Sequence, residues 1–206
     1  MSTTHLIEAL DELGLPRVLI VGDLILDRYI TGEVHRISPE APIPVLAAGQ
    51  LEERLGGAAN VAANLRSMDA EVEVIGVVGD DENGRGLLAL MREIGVSTDG
   101  CVADPSRPTT VKARMVSGVQ QILRVDWEQS RPVRADVERA LLDGLEERVR
   151  AADAVVLSDY GKGALTEPVL RRVIDASRAA RVPVLVDPKG ADYARYRGAT
   201  LLTPNR

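Results

Sequence analysis

Phenylalanine is absent from this sequence, tryptophan occurs once and tyrosine four times, so an aromatic cluster cannot be what holds its core together. The 45% of hydrophobic residues is mostly Val, Leu, Ile and Ala, a composition that suits helices packed on a buried sheet. A single cysteine, Cys101, excludes an internal disulfide, and with two histidines it cannot build an ordinary structural zinc site; Cys101 reads as a small packed residue. Surplus positive charge is missing too. With 25 Lys and Arg against 31 Asp and Glu the net charge is -6, which argues against nucleic acid as the main partner. The sequence contains neither an apolar run of membrane-spanning length nor a basic stretch leading into a hydrophobic one at its start. The expectation is a cytoplasmic globular protein of 206 residues with one sizeable core, and no membrane or nucleic-acid partner.

Strands and helices alternate along the chain. Residues 1–15 carry Leu6, Leu10 and Leu13 at helical spacing, with Gly14 as a stop and His5 on the solvated side. Residues 17–21 (RVLIV) predict a strand buried on both faces, ending at Gly22 and Asp23 and followed by Asp27. Carboxylates at the C-terminal end of such a strand stand where open α/β sheets bind ligands. Asp23 is equally readable as a turn cap, whereas Asp27, coming directly after Leu24, Ile25 and Leu26, needs a polar partner. Between residues 29 and 51 the prolines Pro39, Pro42 and Pro44 exclude a central strand and leave an edge strand or extended loop. Residues 109–116 and 121–127 alternate apolar with polar around Ser117-Gly118-Val119-Gln120 and predict a hairpin with one wet face. The two excursions together suggest a small β-structure standing off the main domain as a lid.

Residues 71–78 predict another buried strand, and 87–94 a helix stopped by Gly95. The intervening loop, residues 79–86, has the outline of a phosphate-binding P-loop. It is rejected, because Arg85 and Gly86 stand where Lys and Ser or Thr are required and its three acidic residues would repel a triphosphate. No strand runs into a G-x-G-x-x-G fingerprint. Further on, the pattern predicts one helix over 136–152, a strand over 154–157, a helix over 167–180 capped by Thr166, and strands over 182–186 and 199–202. Such alternation implies right-handed crossovers and a mostly parallel sheet whose polar strand ends gather on one edge.

Residues 56–65 (GGAANVAANL) lead two glycines straight into a helix. Bare amides at a helix start can approach a polar ligand, while Asn60 and Asn64 share one face and Val61, Leu65 and Met68 another. Alone, the stretch reads equally as a ligand site and as a tight packing turn.

Taken together, Gly22-Asp23 with Asp27, the Gly56 helix start, Gly79-Asp80-Asp81, Asp187-Pro188-Lys189-Gly190 and Thr203-Pro204-Asn205 resemble the ribokinase-like (PfkB-type) sugar kinases. More narrowly, GDLILDRY, RISPEAPIPV, ERLGGAANVAANL, SDYGKGAL and DPKG resemble the kinase domain of the heptose 7-phosphate kinase and ADP-heptose synthase proteins. The resemblance implies an α/β, ribokinase-like fold: a mostly parallel sheet flanked by helices, with a β-lid. It implies a core over residues 16–30, 52–106 and 129–206 and a lid over 31–51 and 107–128. The implied reaction moves the γ-phosphoryl group of ATP, with Mg²⁺, to the anomeric hydroxyl of D-glycero-D-manno-heptose 7-phosphate, a step toward ADP-heptose and lipopolysaccharide core.

Carried over by position, Asp27, Gly56, Gly57 and Asn60 would hold the sugar, and Lys189 and Asn205 would lie near the nucleotide phosphates. For the substrate's own phosphate the lid offers Arg36, Lys112 and Arg114, which read equally as solvated charge. Asp159 with Lys162 reads as a loop ion pair, and Asp187 as a residue shaping its turn. Asp69 replaces the glycine usual after the first helix, a substitution that Asp tolerates in a left-handed position. The resemblance further implies that an N-x-x-E element, and a G-A-G-D segment carrying the anion hole and the general base, follow Arg206. The reading is therefore an incomplete kinase domain with no catalytic residue of its own, dimeric through the lid. Two alternatives stand beside it: a non-catalytic binding or dimerisation module, and a kinase of this fold for another sugar or a nucleoside.

Overall fold

A computed structural model describes residues 14–204. The leading helix expected over 1–15 and the candidate Asn205 fall on residues outside that range, apart from Gly14 and Leu15. The described residues build a nine-stranded sheet with helices on both faces, and its organising element is the strand that opens it.

That strand, β1 (Arg17–Ile37), is 21 residues long and belongs to two sheets in succession. Its first part, Arg17 to Asp23, lies parallel between β3 (Glu71–Gly79) and β7 (Ala154–Ser158). From Leu24 onward it pairs antiparallel with β2 (Pro44–Gly57), and from Leu26 parallel with β5 (Val111–Ser117). The expected strand end at Val21 is thus only the place where β1 leaves one sheet for the other. Asp27 lies within the strand rather than beyond its end, and residues 24–30 and 52–57, assigned to the core from the sequence, pair within the lid sheet. The partners change at Gly22 and Asp23, which interrupt the apolar runs 18–21 and 24–26.

The main sheet is parallel throughout. Its order is β4 (Ser97–Asp104), β3, β1, β7, β8 (Val184–Asp187), β9 (Leu201–Leu202). Alternate residues of β1 feed opposite faces: Leu19 and Val21 join one core with Val155, Leu157 and Val186, while Val18 and Ile20 join the other with Val72 and Val74. The first core is covered by α3 (Ala135–Leu141), α4 (Leu145–Ala151) and α5 (Glu167–Ala180); the second by α1 (Ala58–Arg66) and α2 (Glu82–Glu93). Thr166 caps α5 as expected, its hydroxyl accepting from the Val169 amide.

Three elements depart from expectation. The helix predicted over 136–152 is two helices, α3 and α4, because Gly144 between them takes a left-handed φ of 65° that ends one and starts the other. Strand β4 was invisible in Ser97–Asp104, whose polar residues suit an edge strand paired on one side only. A single 3₁₀ turn, Tyr193–Tyr196, buries the Tyr196 ring in the first core. Asp69 does adopt the left-handed conformation, at φ 63°. Cys101 is packed as expected, and burial pushes its thiol up to about 12.

The lid sheet is β2, β1, β5 and β6 (Gln120–Trp127), the last two forming the expected hairpin around Gly118 and Val119. Pro44 stands at the start of β2, whose only described partner is β1, so the edge position expected for residues 29–51 holds for that strand; residues 29–37 instead continue β1, which up to Gly32 lies between β2 and β5.

Candidate functional site

Where β1 crosses between sheets, the C-terminal ends of β7 and β8 and the start of α1 meet the inner face of the lid. Between them lies a cavity of about 550 Å³. Strand alternation supplies most of its wall. Ile25, Asp27 and Tyr29 recur at period two on β1; Arg54 is the cross-strand partner of Asp27; Lys112 and Arg114 stand beside Asp27 and Tyr29 on β5; Arg124 stands opposite Arg114 on β6. The end of β2 contributes Gly56 and Gly57, and the core contributes Asn60, Tyr160 and Lys189.

Six of the seven residues assigned to the sugar (Asp27, Gly56, Gly57, Asn60, Lys112, Arg114), and Lys189 from the nucleotide side, therefore line one cavity. Arg36 does not. It lies exposed near the far end of β1, opposite Val45, outside the cavity lining.

The two glycines are fixed by contact. A Cβ on Gly56 would fall 2.5 Å from Asp27 Oδ2, and one on Gly57 would fall 2.5 Å from the Asp23 carbonyl oxygen, at a φ of 56° that L side chains avoid. The packing reading and the ligand reading of this stretch are thus both served: the glycines let β2 close against β1, and the start of α1 opens beside Asp27. No side chain caps α1, whose first turn lacks an acidic residue.

Asp27 and Arg114 form an ion pair, with Arg114 Nη1 donating to Asp27 Oδ1 at 2.6 Å and both side chains about one-fifth exposed. Arg114 therefore orients the carboxylate, a part the sequence did not suggest. The guanidinium groups of Arg114 and Arg54 lie 5.3 Å and 4.8 Å from the centre of the Tyr29 ring. Lys112 is held by Asp126 Oδ2 at 2.9 Å and by Glu128 Oε2 at 3.0 Å. Five cationic residues (Arg54, Lys112, Arg114, Arg124, Lys189) and one carboxylate (Asp27) line the cavity, so it suits a hydroxylated ligand that carries anionic groups. Arg54, Arg124, Tyr29 and Tyr160 were missed. Tyr29 was accessible through strand alternation from Asp27; Arg54 and Arg124 enter through the register of β2 and β6, and for Tyr160 no local pattern existed.

Asp23 serves the structure, in keeping with its turn-capping reading. Buried beneath the loop that follows β7, its carboxylate accepts the amides of Tyr160 at 2.8 Å, Lys162 at 3.0 Å and Ala164 at 3.1 Å. Burial pushes its acidity toward higher pKa, and the three amides only partly oppose this. The expected pairing of Asp159 with Lys162 is not formed. Asp159 instead accepts from the Tyr196 hydroxyl at 2.7 Å and the Gly161 amide at 2.8 Å, while Lys162 Nζ reaches Glu128 Oε1 at 2.7 Å. Burial raises the pKa of both the Asp187 carboxyl and the Tyr160 phenol.

The loop rejected as a P-loop is closed on itself. Asp81 caps α2, accepting from the Gly84 amide at 2.8 Å and from the Thr109 amide and hydroxyl at 2.9 Å and 2.7 Å. Among the described residues no three His, Cys, Asp or Glu side chains converge on one point. A smaller cavity of about 280 Å³ opens at the opposite edge of the sheet, where the charged groups are already paired, Arg17 with Glu71 and Arg148 with Glu73. No described helix is long and apolar enough to cross a membrane.

Residues 15–206 match the pfkB family of carbohydrate kinases. The chain is similar to the bifunctional protein HldE of Wolinella succinogenes, 47% identical over 191 residues, and to the D-beta-D-heptose 7-phosphate kinase of Bordetella bronchiseptica, 50% identical over 200. Those alignments cover 93% and 95% of this chain but 40% and 61% of the relatives, so the chain spans less than two thirds of their length. Arabidopsis thaliana ribokinase, whose structure holds ribose and ATP, superposes with a TM-score of 0.66 at 23% identity, covering 92% of this chain and 60% of that one. This likeness shows the fold.

Proposed function

From the premise that the chain belongs to the pfkB family of carbohydrate kinases, we propose that its cavity is the sugar site of an ATP-dependent kinase acting on a heptose 7-phosphate. The observation that carries this reading is the pairing of one oriented carboxylate with a ring of cations in a single cavity. A neutral sugar needs acceptors and donors for its hydroxyls; a sugar phosphate needs, in addition, fixed positive charge. Asp27, held by Arg114, accepts hydrogen bonds from sugar hydroxyls. The amides at the start of α1 and the Asn60 side chain face the same ligand, and Lys112, Arg114 and Arg124 take its phosphate. On the other side of the cavity Lys189 approaches the phosphates of ATP, where neutralising charge is the main service a protein gives to phosphoryl transfer. Magnesium, on this reading, arrives with the nucleotide, and no step is assigned to it. We assign no catalytic base among the described residues. The proposed ATP donor supports a cytoplasmic setting.

Isothermal titration with D-glycero-D-manno-heptose 7-phosphate, the same heptose without phosphate, and fructose 6-phosphate tests the reading. Tightest binding to the heptose phosphate supports it; equal binding of the two heptoses refutes it. Transfer of labelled phosphate from ATP tests the reaction itself.

For assembly, we propose a dimer through the lid. Its sheet and turns leave Ile37, Ile43, Leu51 and Leu123 more than half exposed, an apolar set that a second copy of the chain would cover. Light scattering after size exclusion should give twice the chain mass, and Leu51→Glu should return it to one chain; a monomer at every concentration removes this proposal.

A further inference from the structure

Glu128 lies just outside the cavity, where β6 returns the chain to the core, and it grips two lysines from different parts of the molecule. Its Oε2 accepts from Lys112 of the lid at 3.0 Å and its Oε1 from Lys162 of the core at 2.7 Å. Lys112 is held a second time by Asp126, which also takes Nε and Nη2 of Arg124 at 2.9 Å and 3.1 Å. Of these groups only Lys112 and Arg124 line the cavity. An ammonium has three donors, so two carboxylates leave Lys112 with one; Arg124 keeps its Nη1 group. The core end of the span is clamped. The Lys162 amide donates to Asp23 at 3.0 Å, and the Lys162 carbonyl accepts from Arg107 at 2.9 Å, itself held by Asp104 at 3.1 Å.

Resting on the phosphosugar reading of the cavity, we propose that Glu128 is a positioning residue of the phosphate subsite. Anchored on Lys162, it fixes where Lys112, and through Asp126 also Arg124, present their remaining donors to the substrate's phosphomonoester group. Preorganised donors bind more tightly because less side-chain freedom is lost on association. Electrostatics alone predicts the opposite sign: a carboxylate near a phosphate repels it, so neutralising Glu128 should tighten binding if its charge acted only through space.

The test is titration of the 206-residue chain, and of its E128Q, E128D, K162M and E128Q/K162M variants, with the heptose 7-phosphate and the unphosphorylated heptose. E128Q should weaken phosphosugar binding about tenfold and change the unphosphorylated sugar less than twofold. E128D, which keeps the charge, should recover part of the loss. K162M should lose a similar amount alone and add little in the E128Q background. Unchanged or tighter phosphosugar binding by E128Q overturns the role, as does an equal loss for both ligands or full additivity with K162M. Should E128Q fail to fold, K162M decides on the same two-ligand comparison, since Lys162 does not line the cavity. An unsubstituted chain that binds both heptoses equally overturns the sugar-phosphate reading first, and this role with it.

Discussion

Replacing Gly56 with alanine drives a methyl group into the carboxylate on which sugar binding is argued to depend. The added Cβ would fall 2.5 Å from Asp27 Oδ2, 3.0 Å from its Cγ and 3.2 Å from Ile25 Cγ2. Carbon atoms rest at about 3.5 Å or more from their neighbours, so the carboxylate must retreat by roughly 1 Å or β2 must move off β1. Either movement spoils the 2.6 Å ion pair with Arg114. Overpacking of this kind costs about 1–3 kcal/mol of stability, and a charge-assisted hydrogen bond is worth about 1.5–3 kcal/mol. Urea denaturation should therefore show Gly56→Ala less stable by about 1–3 kcal/mol. Affinity for the heptose 7-phosphate should fall roughly 10- to 100-fold, since each 1.4 kcal/mol is tenfold. Gly57→Ala should cost at least as much stability, because the obstructing atom is a backbone oxygen 2.5 Å away and φ is 56°. Gly86→Ala is the control: nothing lies within 4 Å, and alanine inside α2 should stabilise by about 0.5–1 kcal/mol. A Gly56→Ala protein that loses stability yet keeps its affinity would show that Asp27 does not touch the sugar.

Other perturbations follow from the same geometry. Burial acts to raise the Asp81 carboxyl, but the Thr109 amide and hydroxyl and the Gly84 amide outweigh it and hold it below the usual range. A carboxyl depressed by folding lends stability above its unfolded pKa, about 3.9, and loses it as pH falls through the folded value. Stability measured from pH 6 down to pH 2 should thus fall less steeply for Asp81→Asn than for the parent; parallel curves would contradict this. Tyr196→Phe removes the hydroxyl that donates to buried Asp159 at 2.7 Å and accepts from the Lys189 amide at 3.3 Å, and should cost about 1.5–3 kcal/mol by urea denaturation. Asp69→Gly should gain about 0.5–1 kcal/mol, because φ 63° is free of strain only for glycine; a loss would mean the Asp69 side chain has a partner worth more than that strain.

How far the sequence reached is clearest by comparing neighbouring residues. Asp27 was legible because a carboxylate after three aliphatic residues demands a partner, and Gly56 and Gly57 because paired glycines before a helix are rarely idle. Arg54 and Arg124 carry no such local signature. They become visible only once β2 and β6 are in register with β1 and β5, and register is a property of the sheet. The same limit explains the misassigned partners of Lys162 and Asp159. Three residues apart, they looked like a pair, whereas folding brings Glu128 from 34 positions upstream to the lysine and Tyr196 from 37 positions downstream to the aspartate. The lid boundary expected at residue 31 falls inside β1, where the apolar residues 24–26 carry no sign of the change of sheet at Leu24.

The double membership of β1 also bears on how the site can work. Leu24 and Leu26 pair in the lid sheet yet belong to the same core as Val18 and Ile20, so lid and core are not separable bodies joined by a linker. Arg28 adds a further tie, donating to Glu53 Oε1 at 2.8 Å and to Asn83 Oδ1 of α2 at 2.7 Å. The chain crosses between lid and core within β1 at Asp23 and Leu24, from β2 into α1, from β4 into β5, and in the return segment beyond β6; the first and last of these crossings are tied together. Those two places are joined by one loop, since Asp23 holds its amides and Glu128 holds its Lys162 side chain. A ligand that reaches Asp27 and the lid cations together contacts groups held by Gly56 on one strand and by Glu128 on another, which is why changes at both are expected to appear in one binding constant.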